Sequence, residues 1–408
     1  MKCGLLGEKL GHSYSPQIHK LLGEYSYTLF EKKPAELEAF LQSGDFTGLN
    51  VTIPYKKAVI PFLDELSSVA KRLGAVNTVV RRPDGTLIGH NTDYYGFQTM
   101  VQQSGLNPYG KKVLVLGSGG ASNTAAAVME ELGGEVIVIS RNGENNYSNL
   151  QKHSDAAIIV NATPVGMFPK VGVSPVDLDL FPRLEGILDL IFNPARTQLL
   201  QDAEKRGIVA VNGLLMLVAQ AKESAEWFTG KQISTQRIGQ IHRQLRLQME
   251  NIVLVGMPGC GKTTVALELA RRTGKVLLDA DAAIVRAQGT TIPEIFALCA
   301  EEGFRRIETA VLKDLGKRSG VILSTGGGCV TRPENYPALH QNGRIFWLQR
   351  DLSQLATDGR PLSQSTDLNV MYQQRKDLYA SFADHIVQNN GSVSDAAEAI
   401  LSAFGWNS

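Results

Sequence analysis

Hydrophobic residues along the chain fall into short runs, and stretches with the period of a helix separate many of them. Between residues 111 and 213 the runs are KVLVL, EVIVIS, AAIIV, GILDLIF and GIVAVNG, with helical stretches such as TQLLQDAEKRG in between. After residue 250 the same alternation returns with NIVLV, KVLLD, GVILS and GRIFWLQ. Strands that alternate with helices are typical of a parallel, doubly wound sheet. The pattern therefore predicts two α/β sheets, one on each side of residue 249.

The residues before position 110 predict a separate α/β domain. Short strand patterns, YTLFEKK, GLNVTIP, AVNTVVRR and TLIGHNTD, alternate there with helical stretches such as PAELEAFLQ. Two further helical stretches cover residues 213–230 and 235–249. Because no segment rich in Pro, Gly or Ser follows the second of them, we expect that helix to lead almost directly into the next strand. The boundary between the two halves of the chain is predicted at 247–251.

Composition and charge narrow the classes of partner. The chain is 43% hydrophobic and 20% charged with a net charge of +1, so no global field selects nucleic acid or an anionic membrane. The four cysteines form no CxxC pair, which suits a reducing cytoplasm and argues against a structural zinc. The apolar stretch GLLMLVAQA is far shorter than the roughly 20 residues that span a bilayer. We expect a cytoplasmic protein with small-molecule partners and neither nucleic-acid nor membrane partners.

A glycine-rich loop follows the strand that begins near residue 250. The stretch GMPGCGKT, residues 256–263, fits the full phosphate-loop pattern between a strand and a helix. Its glycines let backbone N–H groups surround phosphate oxygens, and the helix N-terminus adds a favourable dipole. Lys262 is expected to reach the β- and γ-phosphates, and Thr263 to supply a hydroxyl to Mg²⁺. The predicted nucleotide-binding residues are Gly256, Gly259, Cys260, Gly261, Lys262, Thr263 and Thr264.

A second glycine loop, GSGGAS at residues 117–122, is a variant of the dinucleotide-binding fingerprint. It follows the run KVLVL and precedes a helix. The next strand ends in ISRN, so Arg141 stands where an acidic residue usually binds the ribose hydroxyl of NAD. An arginine there suits the 2′-phosphate of NADP(H), and the alternative is a solvated surface arginine. The predicted NADP-binding residues are Gly117, Ser118, Gly119, Gly120, Ala121 and Arg141.

Several polar residues before position 100 describe a pocket. They lie in GHSYSP, NVTIPYK, AVNTV and GHNTDYYGF, and include the amine of Lys56 and the carboxylate of Asp93. Each has a structural alternative: a serine turn, a solvated lysine, a strand-end asparagine, and a helix N-cap for Asp93. Together they suit ketone reduction, because a lysine ammonium can supply the proton when a hydride arrives from the other side. A carboxylate can orient both the lysine and a ligand hydroxyl.

Taken in order, the motifs of the first half resemble shikimate dehydrogenase. GHSYSP, GLNVTIPYK, GAVNTV, GHNTDYYGF, GSGGAS, VNATPVGM and GLLMLVAQA match that family and cover essentially all of residues 1–245. The resemblance implies that Lys56 and Asp93 are the catalytic pair. It implies that two serines bind the substrate carboxylate and that the other polar residues bind ring hydroxyls. The implied substrate-binding residues are Ser13, Ser15, Thr52, Asn77, Asp93 and Gln220. The chain departs from the family where Phe192 replaces a frequent tyrosine.

The motifs of the second half resemble shikimate kinase. LLDAD, EEGFRRIE, STGGG, DGRPL and QQRKDLY follow in the family's order within residues 250–405. The resemblance implies that Asp281 binds ring hydroxyls and acts near the accepting oxygen. It implies that Arg305 and Arg375 bind the substrate carboxylate, for which the bidentate guanidinium is suited. The other implied roles are a ring contact for Gly327, a phosphate contact for Arg360 and an outer-shell Mg²⁺ ligand in Asp279. The late loop NNGSVSDAA lacks the arginine that often lies near adenine.

Both resemblances predict a bifunctional α/β enzyme. The expected domains are a substrate-binding domain (1–100 and 214–247), a Rossmann-like NADP domain (101–213) and a P-loop kinase domain with a parallel sheet (250–408). The predicted activities are NADPH-dependent reduction of 3-dehydroshikimate to shikimate, and ATP- and Mg²⁺-dependent phosphorylation of shikimate to shikimate 3-phosphate. One alternative is a quinate/shikimate dehydrogenase fused to a related small-molecule kinase. The other is a non-enzymatic regulator that binds shikimate and nucleotide, although a regulator needs none of the reactive groups Lys56, Asp93, Lys262 and Asp281.

Overall fold

The structure is a computed structural model that describes residues 1–11, 13–355 and 367–406. By internal contacts the chain divides into two compact units. The first unit consists of Met1–Val165, Pro175–Phe192 and Asp202–Gln244, and the second of Gly166–Ser174, Asn193–Gln201 and Leu245–Ser408. The backbone therefore passes from one unit to the other five times along the sequence.

The first unit begins with a mixed six-stranded sheet. Its strands are β1 (Lys2–Gly7), β2 (Ser26–Glu31), β3 (Gly48–Val51), β4 (Glu65–Leu66), β5 (Thr78–Arg81) and β6 (Leu87–His90). They lie in the order β2-β1-β3-β5-β6-β4, and β5 runs antiparallel to both of its neighbours. The accompanying helices are α1 (Ser15–Leu22), α2 (Leu37–Gln42), α3 (Tyr55–Ala58) and α4 (Ser68–Leu73). The four strand patterns named from the sequence all contain strands, and β1 and β4 are two additional strands that the sequence pattern did not single out.

A second sheet in the same unit is fully parallel. Its strands are β7 (Lys112–Leu116), β8 (Glu135–Ile139), β9 (Ile158–Asn161), β10 (Gly186–Asp189) and β11 (Val209–Asn212). They lie in the order β11-β10-β9-β7-β8, so the chain order reverses between β7 and β9. Ligands of such sheets bind beyond the carboxyl ends of the strands at this point. The helices along this part of the chain are α5 (Asp93–Ser104), α6 (Gly120–Glu131), α7 (Gln198–Glu204), α8 (Leu214–Thr229) and α9 (Gln236–Met249), of which α7 and α9 each lie partly in the second unit.

The third sheet belongs to the second unit and is also parallel. Its strands are β12 (Asn251–Val255), β13 (Val276–Asp279), β14 (Val321–Ser324), β15 (Gly343–Gln349) and β16 (His385–Gln388), in the order β13-β14-β12-β15-β16. Every residue of the central strand β12 is buried, as expected where helices cover both faces. The helices are α10 (Lys262–Thr273), α11 (Ala280–Gln288), α12 (Ile292–Leu315), α13 (Asn335–His340), α14 (Leu368–Phe382) and α15 (Val393–Phe404). The predicted fold class is confirmed.

The junction near residue 249 has the form that the sequence predicts. Helix α9 ends at Met249 and β12 begins at Asn251. The residue between them, Glu250, is buried and forms an ion pair with Arg344 at 2.8 Å. A helix thus leads into the central strand of the third sheet without an intervening linker.

The segment Asn193–Gln201 is held inside the second unit by hydrogen bonds. The backbone N–H of Arg196 donates to the Gln341 carbonyl at 2.8 Å, and its guanidinium donates to the His340 carbonyl at 3.1 Å. The N–H of Ala195 donates to Oδ1 of Asn342 at 2.8 Å. Both Gln341 and Asn342 are buried. This segment, which follows β10 in the chain, therefore packs on the turn between α13 and β15.

The span α12 covers 24 residues but is interrupted by a kink at Ala300, whose φ of 54° and ψ of −174° are not helical. Neither it nor any other helix in the described part of the chain combines the length and the apolar character needed to cross a bilayer.

Two candidate active sites

A cleft of about 300 Å³ in the first unit brings together polar residues from distant parts of the sequence. All seven residues that the first resemblance implies for substrate and catalysis line it: Ser13, Ser15, Thr52, Lys56, Asn77, Asp93 and Gln220. Ala121 of the GSGGAS loop lines the same cleft. The cleft can therefore hold a small polar ligand against the glycine loop of the parallel sheet.

Lys56 and Asp93 form an ion pair in this cleft. Lys56 lies on the short helix α3, and Asp93 is the first residue of α5. The ammonium Nζ of Lys56 donates to Oδ2 of Asp93 at 2.6 Å, and the two side chains are 30% and 16% exposed. The alternative that Asp93 merely caps a helix does not match this geometry, because Thr92 occupies the N-cap position. The pair offers a proton donor and a neighbouring carboxylate to a ligand.

Close packing of two helices places Gln220 near this pair. A Cβ atom on Gly96 of α5 would lie 2.7 Å from the Met216 carbonyl and 2.9 Å from Cβ of Gln220. Only glycine therefore allows α8 to approach α5 this closely. The side-chain amide of Gln220 donates to the Leu217 carbonyl at 2.8 Å. The helix contact thus fixes Gln220 at the wall of the cleft.

The GSGGAS loop leaves its backbone open to a ligand. Gly117 has a φ of 110°, which favours glycine, and Gly119 is the N-cap of α6. A Cβ atom on Gly119 or Gly120 would meet no other group within 4 Å. Arg141 is exposed just beyond the end of β8. The loop therefore leaves room for a ligand at a helix N-terminus, which is an arrangement that binds phosphate.

The structure adds residues to this cleft that the sequence interpretation did not assign to the site. Asn50 and Phe192 line it, together with apolar residues of α8. Asn50 is buried, and its Oδ1 accepts a hydrogen bond from the Tyr27 hydroxyl at 2.7 Å. The polar position inside the buried run GLNVTIP was the available signal for Asn50. The ring of Phe192 packs edge-on against Tyr14, with centroids 5.9 Å apart.

A second cleft lies beside the phosphate loop in the second unit. Three glycines give the loop its path, with φ values of 149° at Gly256, 83° at Gly259 and 95° at Gly261. Such angles are readily available only to glycine. The ammonium of Lys262 donates to the carbonyls of Gly256 and Met257 at 2.9 and 3.0 Å. The loop carbonyls therefore hold the ammonium group of Lys262 at the N-terminus of α10.

Oxygen ligands suited to a divalent cation meet at the edge of this cleft. The hydroxyl of Thr263 lies 3.3 Å from Oδ2 of Asp279 and 3.4 Å from Oγ of Ser324. The other carboxylate oxygen of Asp279 caps α11 by accepting from the Ala282 N–H at 3.0 Å. Mg²⁺ prefers oxygen ligands and usually keeps waters and substrate phosphates in its shell. A hydroxyl and a fixed carboxylate beside a phosphate loop fit that preference.

Two arginines lie at the opposite wall beside a run of glycines. Arg305 and Arg375 are both buried and line the cleft with Asp281. Arg375 donates to the Gly327 carbonyl at 3.4 Å, and the Tyr379 hydroxyl donates to the same oxygen. Arg305 lies so close to Gly328 that a Cβ atom there would overlap its guanidinium. Asp281 lies in the first turn of α11, two residues beyond the end of β13.

The carboxylate of Glu308 completes this wall and was not assigned a role from the sequence. It pairs with Arg305 at 2.7 Å and is fully buried. Its second oxygen, Oε1, has no hydrogen-bond partner among the described residues. Burial raises the pKa of Glu308 above its ordinary value. The glutamate in the motif FRRIE, three residues after Arg305, was the signal that could have identified it.

Most predicted kinase residues line this cleft, and two of those that the structure describes, Gly256 and Cys260, do not. Its lining includes Gly259, Gly261, Lys262, Thr263, Thr264, Asp279, Asp281, Arg305, Gly327 and Arg375. Gly256 and Cys260 are both buried within the phosphate loop. The carbonyl of Cys260 accepts a hydrogen bond from the Asn389 amide at 2.6 Å. Arg360 lies outside the described residues.

Comparisons with known proteins match the two parts of the chain that contain these clefts. A family model for the shikimate dehydrogenase substrate binding domain matches residues 5–79, and one for shikimate kinase matches residues 258–404. The shikimate dehydrogenase (NADP(+)) of Clostridium perfringens is 34% identical over 265 residues, which cover 60% of this chain and 97% of that protein. The chain belongs to the shikimate dehydrogenase family. A further relative, the shikimate dehydrogenase (NADP(+)) of Dehalococcoides mccartyi, is 36% identical over 258 residues, 56% of this chain and 90% of its own length.

Solved shikimate dehydrogenases resemble the same part of the chain. Shikimate dehydrogenase 1 from Peptoclostridium difficile is 38% identical with a TM-score of 0.55, covering 60% of this chain and 98% of its own. A chorismate mutase/shikimate 5-dehydrogenase fusion from Clostridium acetobutylicum is 37% identical with a TM-score of 0.57, covering 60% and 96%. The chain is therefore a bifunctional enzyme in which a shikimate kinase domain follows a shikimate dehydrogenase. The families assign NADP to the first activity and ATP to the second.

Proposed function

We propose that the dehydrogenase part reduces 3-dehydroshikimate to shikimate with NADPH. The observation that carries this proposal is the 2.6 Å pair of Lys56 and Asp93 in a cleft lined by hydroxyl and amide groups. The two serines, Ser13 and Ser15, are proposed to bind the substrate carboxylate. Thr52, Asn77, Asp93 and Gln220 are proposed to bind its ring oxygens.

In this mechanism bound NADPH supplies the hydride. Lys56 donates a proton to the carbonyl oxygen as that oxygen gains negative charge, and it accepts the proton in the reverse direction. Asp93 keeps the ammonium in place and accepts a hydrogen bond from a ligand hydroxyl. The exposed guanidinium of Arg141 is proposed to bind the 2′-phosphate, with Gly117, Ser118, Gly119, Gly120 and Ala121 around the pyrophosphate.

We further propose that the kinase part transfers a phosphoryl group from ATP to a hydroxyl of shikimate. Support comes from one cleft that contains both a phosphate loop and two buried arginines. Arg305 and Arg375 would bind the carboxylate, and Gly327 would lie against the ring. Asp281 would bind the accepting hydroxyl and receive its proton. Lys262 would stabilise charge on the transferring group.

The cation for this reaction is proposed to be Mg²⁺, bound at Thr263 with Asp279 in its outer shell. When bound, it neutralises charge on the phosphate oxygens. The domain boundaries are likewise proposed as 1–100 with 214–247, 101–213 and 250–408. Arg360 is proposed to reach the phosphates.

The test is a stepwise reaction followed by mass spectrometry. The full chain receives 3-dehydroshikimate and NADPH, and then ATP and Mg²⁺. We expect a product heavier by two hydrogens and afterwards by one phosphoryl group. Parallel reactions with quinate and NADP⁺, or quinate and NAD⁺, test the quinate alternative, since a higher kcat/KM for quinate would replace the proposed substrate. Tight shikimate binding without turnover would favour a regulator.

A further inference from the structure

A cluster of buried hydroxyl and amide side chains adjoins the dehydrogenase cleft. Its members come from β3, the residue before β5, β5 itself, the residue before α5, and α8, and each is at most 5% exposed: Asn50, Asn77, Thr78, Thr92 and Ser224. Burying a polar group is unfavourable unless it forms hydrogen bonds, and a network of such bonds can specify one arrangement. Two members, Asn50 and Asn77, also line the cleft. The cluster therefore connects the interior to groups that face a ligand.

Ser224 is the junction of this cluster. Its Oγ donates to the Gln220 carbonyl at 2.9 Å and accepts from Nδ2 of Asn50 at 2.8 Å. It also lies 2.8 Å from the Thr78 hydroxyl and 2.9 Å from the Thr92 hydroxyl. A serine hydroxyl has one proton and two acceptor positions. The proton of Ser224 goes to the Gln220 carbonyl, and the Asn50 amide occupies one of its two acceptor positions. One of the two threonine hydroxyls therefore donates to the second acceptor position of Ser224.

The backbone N–H of Thr92 sets which way the side-chain amide of Asn77 points, and the hydroxyl cluster adds further contacts to that amide. Its Oδ1 accepts from the Thr92 N–H at 2.7 Å and lies 3.1 and 3.2 Å from the hydroxyls of Thr78 and Thr92. The threonine that does not donate to Ser224 is left with two acceptors, this oxygen and the other threonine hydroxyl at 3.2 Å. Nδ2 donates one proton to the Thr92 hydroxyl at 3.0 Å, and its second N–H has no acceptor in the part of the chain that the structure describes.

We propose that Ser224 is a positioning residue of the dehydrogenase. By accepting one threonine hydroxyl it completes the cluster that, together with the Thr92 N–H, holds Oδ1 of Asn77 in the interior, so that Asn77 presents an N–H to the cleft and recognises an oxygen of the ligand ring. This proposal rests on the proposed dehydrogenase function.

The test compares Ser224→Ala with a matched change on the same helix. Thr229 makes an equivalent bond, from its hydroxyl to the Ala225 carbonyl at 2.8 Å, but belongs to no such cluster. Ser224→Cys keeps the bulk of the side chain while weakening its hydrogen bonding. In the dehydrogenase reaction, we expect Ser224→Ala and Ser224→Cys to raise the KM for shikimate by roughly tenfold. The KM for NADP⁺ should change by less than about twofold, and Thr229→Ala should leave both values unaltered.

A double-mutant cycle separates positioning from packing. In an Asn77→Ala background, the change Ser224→Ala should have no further effect on the KM for shikimate, because it acts through Asn77. Phosphorylation of added shikimate by the same chain reports that the protein is folded. An unaltered KM in Ser224→Ala with a lower melting temperature would overturn the proposal, as would a full additional loss in the Asn77→Ala background. No turnover by the unaltered chain would instead overturn the dehydrogenase function on which the proposal rests.

Discussion

Replacing Gly328 with alanine should displace Arg305 and weaken the binding of shikimate to the kinase part. The backbone of Gly328 has a φ of −104°, which alanine adopts without strain. The added methyl group would overlap the guanidinium of Arg305, the mobile end of a long side chain. The guanidinium therefore has to move by roughly an ångström or more to regain van der Waals distance. Its bond to a ligand carboxylate would then be lost or badly aligned.

The size of the effect follows from the bond that is lost. A hydrogen bond to a charged group contributes about 1.5–3 kcal/mol. That range corresponds to a rise of roughly 10- to 150-fold in the KM for shikimate. The phosphate loop is formed by other residues, so the KM for ATP should change by less than about twofold. Some stability should also be lost, because Arg305 neutralises the buried Glu308.

Steady-state phosphorylation of shikimate, with each substrate varied in turn, measures both constants. Gly239→Ala is the matched control, since a Cβ atom on this glycine of α9 meets nothing within 4 Å. Arg305→Ala should reproduce the rise in the KM for shikimate, and adding Gly328→Ala to it should have little further effect. If Gly328→Ala left that KM unaltered, or raised the KM for ATP equally, Arg305 would not be the carboxylate ligand.

Three other predictions concern the cofactor, the independence of the sites and acid stability. Arg141→Ala should weaken NADPH far more than NADH in reduction assays, and equal losses would remove its proposed role. Lys56→Ala should abolish reduction but spare phosphorylation of added shikimate, and Lys262→Ala should do the reverse; loss of both activities in a stable single variant would contradict separate sites. Burial lowers the pKa of His19 in the folded protein to about 3. As the pH drops below about 6.5, this histidine is protonated in the unfolded chain but not in the folded one, so the free energy of unfolding decreases, by about 2 kcal/mol at pH 5. Urea unfolding at pH 7 and 5 should show a smaller loss for His19→Gln, and an identical loss would exclude His19.

Sequence patterns predicted much of this molecule because its polar residues stand at fixed places in strands and loops. The glycine loops were recognisable since a phosphate site needs particular backbone angles, as at Gly256 and Gly261. The pairing of Lys56 with Asp93, 37 positions apart, followed from a resemblance rather than from periodicity. Ser224 gave no such signal, because a serine on an amphipathic helix can face water or a core. Only the packing of α8 shows that it is fully buried.

The interleaving of the two units has a consequence for how such a chain can be divided or rearranged. Removing everything before Leu245 would also remove Asn193–Gln201, which belongs to the second unit. This segment forms hydrogen bonds with the buried residues Gln341 and Asn342. A single breakpoint in the chain therefore does not separate the whole of the second unit from the first. A cut at residue 245 alone would leave four of the five backbone crossings in place. A division that keeps each unit whole would have to follow all five crossings rather than a single position.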